Sequence, residues 1–288
     1  MTAWNQILEL VGWGMDEEPD RERCCDKGTI ARSQEDAKRL LRCRSAWESK
    51  SPTCSESTCQ IADLLARHAQ RTDLQREFHG LQWELHVVDL RLLLSFQRRL
   101  VLPDEGSTRL DSGPVSWQER VNLAFPAERK SDYSVELSKS ELVLRSANPD
   151  FRVLLEDRLE SPERCSFRVE HGSPFMEVAH YGGRWFLRDG YHRAWRFMCM
   201  GVFEVPVVVI EARTQRELGA VQSWFFSEST LFSERPPAVA DFCEENLTLQ
   251  WRRPARRKVI RIAVNESFET IPSSLREEKE HEYCNDAR

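Results

Sequence analysis

Residues 182–212 read GGRWFLRDGYHRAWRFMCMGVFEVPVVVIEA. The Gly182–Gly183 pair closes a predicted hairpin whose first strand lies in PFMEVAHY, because two adjacent glycines supply the positive backbone angles of a tight turn. After RWFL, the spacing of Ala194, Trp195, Met198 and Cys199 predicts a helix over Tyr191–Met200 with one apolar face. Gly201 is placed to end it. VPVVVIEA is short, continuously apolar and β-branched, which suits a strand buried on both faces. Strand, helix and strand in this order define an α+β unit. Where the first strand becomes the helix stand Asp189, Gly190, Tyr191, His192 and Arg193.

Those residue types suit an anion. A helix N-terminus presents unpaired N–H groups and a partial positive charge. Glycine at the entry lets a ligand approach the backbone, and an arginine in the first turn can grip two phosphate oxygens through its planar fork. Histidine donates a further hydrogen bond or moves a proton near neutrality. Asp189 is the candidate magnesium ligand and, with His192, the candidate acid–base pair. The plainer alternative makes Asp189 a helix cap, Gly190 a turn residue, and His192 and Arg193 surface groups.

A strand, D-G-x-H-R, a helix of about ten residues and then VPVVV resembles the ParB/sulfiredoxin superfamily. The corresponding corner is G-E-R-R in ParB, G-G-C-H-R in sulfiredoxin and D-G-H-H-R in relatives. The resemblance spans residues 80–215 and is sharpest over Phe186–Val209. It implies a small mixed sheet with flanking helices. It also implies a nucleotide (ATP, ADP or CTP, with magnesium) whose phosphates meet the corner, with phosphotransfer or nucleotide hydrolysis as the accompanying activity. Gly190, His192 and Arg193 align with the phosphate-contacting motif, and Tyr191 lies within it. VVDLRLLLSFQRR also resembles the first strand of ParB with its Q-P-R segment, so Gln97 and Arg98 are expected to line the same pocket. Tyr191 stands where sulfiredoxin carries its catalytic cysteine, and a phenol cannot replace that thiolate. Sulfinic acid repair is therefore not expected. Nor is ParB-type partitioning, because no helix-turn-helix pattern follows Val209.

Around this unit, residues 1–78 read as a weakly ordered helical extension, with helical patches at Trp4–Val11, Gln34–Trp47 and Ile61–Ala69. Residues 79–215 form the ParB/sulfiredoxin-like domain, with a strand in LQWELHVVDL, a helix in SWQERVNLAF and a hairpin turning near Lys139–Ser140. Residues 216–272 form an extension containing a helix in TQRELGAVQSWFF and strands in LTLQWRR and RKVIRIAVNESF, the second with one buried face. Residues 273–288 are an acidic tail expected to be disordered.

With 41 Lys and Arg against 47 Asp and Glu, the net charge of −6 disfavours a chain wrapped generally around nucleic acid. No apolar run is long enough for a membrane helix, and the N-terminal sequence lacks secretory-signal character. No membrane partner and a cytoplasmic location are expected. The nine cysteines are odd in number and include no C-x-x-C pair, so free thiols are expected, and a zinc site would need irregular spacing. Cys199 reads as a small packed hydrophobe, and His180 as structural.

Two further features offer alternatives. Arg252, Arg253, Arg256, Arg257, Lys258 and Arg261 follow one another without an acid, which suits either a nucleic-acid backbone or a solvated sheet edge. Through that stretch the chain could instead be a non-catalytic, DNA-associated or protein-interaction regulator. Trp224, Phe225, Phe226 and Phe232 suit core packing, a stacked base or a pocket cover.

Overall fold

The computed structural model describes residues 4–15, 25–102, 115–126, 133–148, 151–155, 167–170, 172–222 and 224–268. The chain is α+β and divides into two compact units, residues 1–130 with 172–256 and residues 131–171 with 257–288. This division differs from the expected boundaries after residues 78 and 215, because strands and helices from both expected extensions join the cores described below.

The first unit opens with β1 (Trp4–Leu10), α1 (Lys27–Cys43), α2 (Ser55–Gln60), α3 (Ala62–Ala69), α4 (Thr72–Glu77), β2 (Trp83–Asp89), β3 (Arg99–Leu102) and α5 (Trp117–Ala124). The second unit supplies β4 (Ser134–Leu137), β5 (Glu141–Ser146), β6 (Arg152–Leu155) and β7 (Phe167–Glu170). The first unit then resumes with β8 (Glu177–Tyr181), β9 (Arg184–Asp189), α6 (Tyr191–Cys199), β10 (Glu204–Glu211), α7 (Gln215–Leu218), α8 (Glu228–Leu231) and β11 (Thr248–Pro254). Finally β12 (Lys258–Ala263) belongs to the second unit.

In the first unit a four-stranded sheet runs β2-β10-β8-β9. β10 lies antiparallel to β2 and parallel to β8, and β8 and β9 form the hairpin closed by Gly182 (φ +55°) and Gly183 (φ +73°). β10 is buried from Val205 to Ile210, as its β-branched run requires. The helix α6 carries the chain from β9 back to β10. Its buried residues are Tyr191, Ala194, Phe197 and Met198. Cys199 is exposed, not packed as expected, because the buried stripe ends one residue earlier.

The segment expected to be a helix at Trp4–Val11 is instead the middle strand of a sheet ordered β11-β1-β3. Leu8 and Leu10 enter the main core, while Ile7 and Val11 pack with Ala37, Leu41, Leu249 and Trp251 in a second cluster. Both faces are covered, so the period-2 signal that marks a half-buried strand is absent. The helix expected from Gln34 starts earlier, where the Asp26 side chain accepts the Thr29 N–H at 2.9 Å, and it ends at Cys43. With Ile61, Leu65, Leu74 and Phe78 also in the main core, the described part of residues 1–78 is packed structure, not a weakly ordered extension. The helix expected over 214–226 lasts only from Gln215 to Leu218, because Gly219 adopts φ +86° and stops it.

The second unit contains a sheet ordered β12-β5-β4 and the pair β6-β7. Register places Val135, Leu137, Leu142, Leu144, Ile260 and Ile262 on one face. On the other, Arg145 pairs with Glu136 at 2.7 Å and Arg261 with Glu141 at 3.0 Å. Ile260 and Ile262 are only half-buried and Val264, expected on the same face, is exposed, so the buried face expected of β12 is not found. The acidic tail at 273–288 lies outside the described residues.

Candidate functional site

β9 reaches the corner through an irregularity: Glu177 faces Asp189, but the next residue, Val178, faces Leu187. Arg188 is thus the extra residue of a bulge, and a bulge re-aims its side chain. Arg188 donates from Nη1 to the Glu177 carboxylate and from Nε to the Glu217 carbonyl at 2.9 Å. Glu177 is wholly buried, and its Oε1 has no hydrogen-bond partner. This buried pair escaped the sequence reading; the available signal was a lone acid inside the apolar run FMEVA.

At the corner, Gly190 takes φ +91° and precedes α6 without a side-chain cap. The Asp189 carboxylate turns back and accepts the Gly190 N–H. Tyr191 is buried: its hydroxyl accepts the Phe96 N–H at 3.2 Å, and its ring meets Phe96 and Phe242 edge-on. Burial pushes its phenol well above the ordinary value. Arg193 points inward. Its Nη1 donates to the carbonyls of Leu123 (3.2 Å), Ala124 (3.3 Å) and Pro174 (2.5 Å), and its Nη2 to Phe175 (2.8 Å). The arginine expected to hold phosphate therefore ties the end of α5 and the approach to β8 onto α6. Tyr191, also expected at the ligand, is a core residue. His192 is exposed and Asp189 half-buried.

Arg98 lies elsewhere in the first unit. It donates from Nη1 to the Gly14 carbonyl at 3.0 Å and from Nε to the Phe225 carbonyl at 3.3 Å, and its guanidinium stacks 4.4 Å from the Phe226 ring centre. With Tyr181, Leu218, Phe225, Phe226 and Phe232 it lines a cavity of about 400 Å³, and Gln215, Gln222, Ser227 and Glu228 add polar groups to its wall. Arg98 and three of the four aromatic residues singled out separately, Phe225, Phe226 and Phe232, thus meet at one place, whereas Trp224 does not line the cavity. None of Asp189, Gly190, Tyr191, His192, Arg193 or Gln97 lines this cavity. Gln97 is half-buried, and its carbonyl accepts the Ser95 hydroxyl at 2.9 Å.

Arg252 and Arg253 belong to β11, an edge strand of the first unit; Arg256, beyond the end of β11, is still in the first unit, whereas Arg257 and Lys258 belong to the second. Arg252, Arg256, Arg257 and Lys258 are exposed and Arg253 is half-buried. His180 stacks on Trp185 at 4.4 Å and bonds to Glu211 at 3.0 Å. No three His, Cys, Asp or Glu side chains gather as a metal site among the described residues. A magnesium at Asp189 would rest on a single carboxylate already turned to the Gly190 N–H, together with the oxygens of its ligand. Among the described residues no helix is long and apolar enough to cross a membrane.

Comparison with protein families, with curated proteins and with solved structures yields no match.

Proposed function

We propose that the chain is a nucleotide-binding protein of the ParB/sulfiredoxin type in which the base enters the aromatic cavity beside Arg98. The strand-to-helix corner is the frame of the domain. The reading rests on one observation: Arg98 and three phenylalanines line a cavity of about 400 Å³. That volume falls within the usual range for small-ligand sites, about 300–1,000 Å³. The order β8-β9-α6-β10, with β8 and β10 parallel neighbours, supports the superfamily assignment. Stacking on an aromatic ring contributes about 1–3 kcal/mol per base, or about 5–150-fold in Kd.

Calorimetric titration with ATP, ADP and CTP in the presence of magnesium tests the reading. At least one should bind, Phe225→Ala should weaken it within that range, and Arg193→Ala should leave the affinity of the folded fraction unchanged. No heat with any of the three overturns the proposal. A phosphate-release assay separates binding from turnover.

A second reading, contact with a DNA backbone, draws on the exposed run Arg252, Arg256, Arg257 and Lys258. It requires a salt-dependent gel shift that disappears when Arg256, Arg257 and Lys258 are neutralised.

A further inference from the structure

In the second unit β12 is an edge strand: among the described residues it pairs with β5 alone, in the sheet ordered β12-β5-β4. Lys258, Val259, Arg261, Ala263 and Val264 are exposed, and Ile260 and Ile262 are half-buried. An open edge rich in β-branched residues is a template for another strand. The charge that would guard its middle is already neutralised within the chain, because Arg261 donates to the Glu141 carboxylate at 3.0 Å.

The backbone decides which strand fits there. The Val264 N–H donates to the Ser140 carbonyl at 3.0 Å, and Ala263 faces Glu141. Bonded and non-bonded positions alternate along an antiparallel ladder. Lys258, Ile260, Ile262 and Val264 therefore direct their peptide groups to β5, and Val259, Arg261 and Ala263 direct theirs to the open edge. A second β12, antiparallel about a two-fold axis, bonds there only when these alternate residues meet one another. The axis must then pass through a residue, not between two. Through Arg261 it would set that residue against its own copy, and like charges directly opposite are destabilising. Through Ile260 it would set Lys258 against Ile262, and through Ala263 it would set Ile260 against Glu266. Through Ile262 the match is complete: Ile262 meets its copy, Ile260 meets Val264 and Lys258 meets Glu266, while Arg261 and Ala263 exchange backbone bonds.

We propose that the open edge of β12 is a self-association surface, to which a second copy of this chain adds its own β12, antiparallel about Ile262. The two sheets join as β4-β5-β12-β12-β5-β4. Main-chain bonds supply the attraction, and the Lys258–Glu266 pairs at both ends of the contact set the register. The contact is isologous, with the same residues on both copies, so it closes at two. This surface is independent of the nucleotide reading.

The test is sedimentation velocity of the full chain, free of nucleic acid, at concentrations up to about 0.1 mM, well above a Kd of micromolar order. A monomer–dimer equilibrium is expected. Lys258→Glu and Glu266→Lys each bring like charges together at both ends of the contact, and each should raise the dimer Kd about 10-fold or more. The double variant Lys258→Glu/Glu266→Lys restores opposite charges and should return the Kd to within about 3-fold of the parent. Hydrogen exchange gives a second readout: peptides covering residues 257–266 should gain protection as concentration rises, in the parent and in the double variant. Monomer alone at the highest concentration, a dimer indifferent to the single variants, or a double variant as weak as the singles overturns the proposal. So does a series of larger species, which an isologous contact does not build.

Discussion

A Cβ added at Gly190 would lie 2.7 Å from the Met176 Cγ and 3.2 Å from the Met176 Cα, at a backbone φ of +91°. The flexible side chain can move, but the backbone of Met176 is held: its N–H donates to the Ala124 carbonyl at 3.0 Å, and its carbonyl accepts the Val208 N–H at 2.9 Å. Gly190→Ala should therefore destabilise the protein by about 2–4 kcal/mol, combining left-handed strain with overpacking, measured by urea unfolding. Arg193→Ala should cost a similar amount, about 2–4 kcal/mol, because four backbone carbonyls lose their charged donor. Arg193→Lys should recover only part of it, since an ammonium lacks the planar fork. A loss of ligand affinity without loss of stability in Arg193→Ala would contradict this inward role. The motif's positions were legible in the sequence, but the direction of its arginine was not. D-G-Y-H-R reads alike whether the guanidinium faces a phosphate or the protein's own carbonyls, and the partners at Leu123 and Pro174 are distant in sequence.

Among the helices, Arg71 is the joint that docks α3 and α4 onto the end of α5. It grips Asp73 through Nε (3.0 Å) and Nη2 (2.6 Å) and donates to the carbonyls of Phe125 (2.7 Å) and Pro126 (2.8 Å). Beside it, burial and the positive charges of Arg71 and Arg67 hold His68 below its ordinary 6.5. The folded protein keeps this imidazole neutral, while the unfolded chain takes up its proton near 6.5, so stability falls as pH drops below that value. The hydrogen bond from Arg71 holds Asp73 below 3.8; its contribution is present above 3.8 and is lost as pH falls through the folded value. Urea midpoints should therefore decline between about pH 7.5 and about pH 5, and again in stronger acid. His68→Gln should flatten the first decline, and Asp73→Asn the second. An unchanged pH profile in both variants would refute the assignment. Helices with a clear apolar stripe, such as α6, were legible from spacing. β1 was not, because Ile7 and Leu8 point to opposite cores and the alternation of a half-buried strand is erased.

Across the whole molecule, the order of strands in sequence hides which segments form the cores. β1 lies between β11 and β3, joining the chain's first strand to one that begins at Thr248. No local periodicity encodes that pairing, so the sequence reading left residues 1–78 outside the core, whereas β8, β9, α6 and β10, built from neighbours, were legible as two strands, a helix and a strand. The two ends should consequently respond differently to truncation. Removing residues 1–14 deletes a strand bonded on both sides, together with the buried Ile7, Leu8, Leu10 and Val11. The remaining chain should lose cooperative unfolding or aggregate, since β3 and β11 would each expose an unpaired edge. Ending the chain after Arg256 retains all of β11 and removes β12, which leaves β4 and β5 as a two-stranded hairpin of marginal stability. All nine tryptophans lie in the first unit, so their fluorescence reports that unit alone. In the shortened chain their unfolding transition should persist, while limited proteolysis cuts within residues 131–171. A cooperative transition with native emission in the chain lacking residues 1–14 would show that β1 is dispensable and that the first unit's core is built without it.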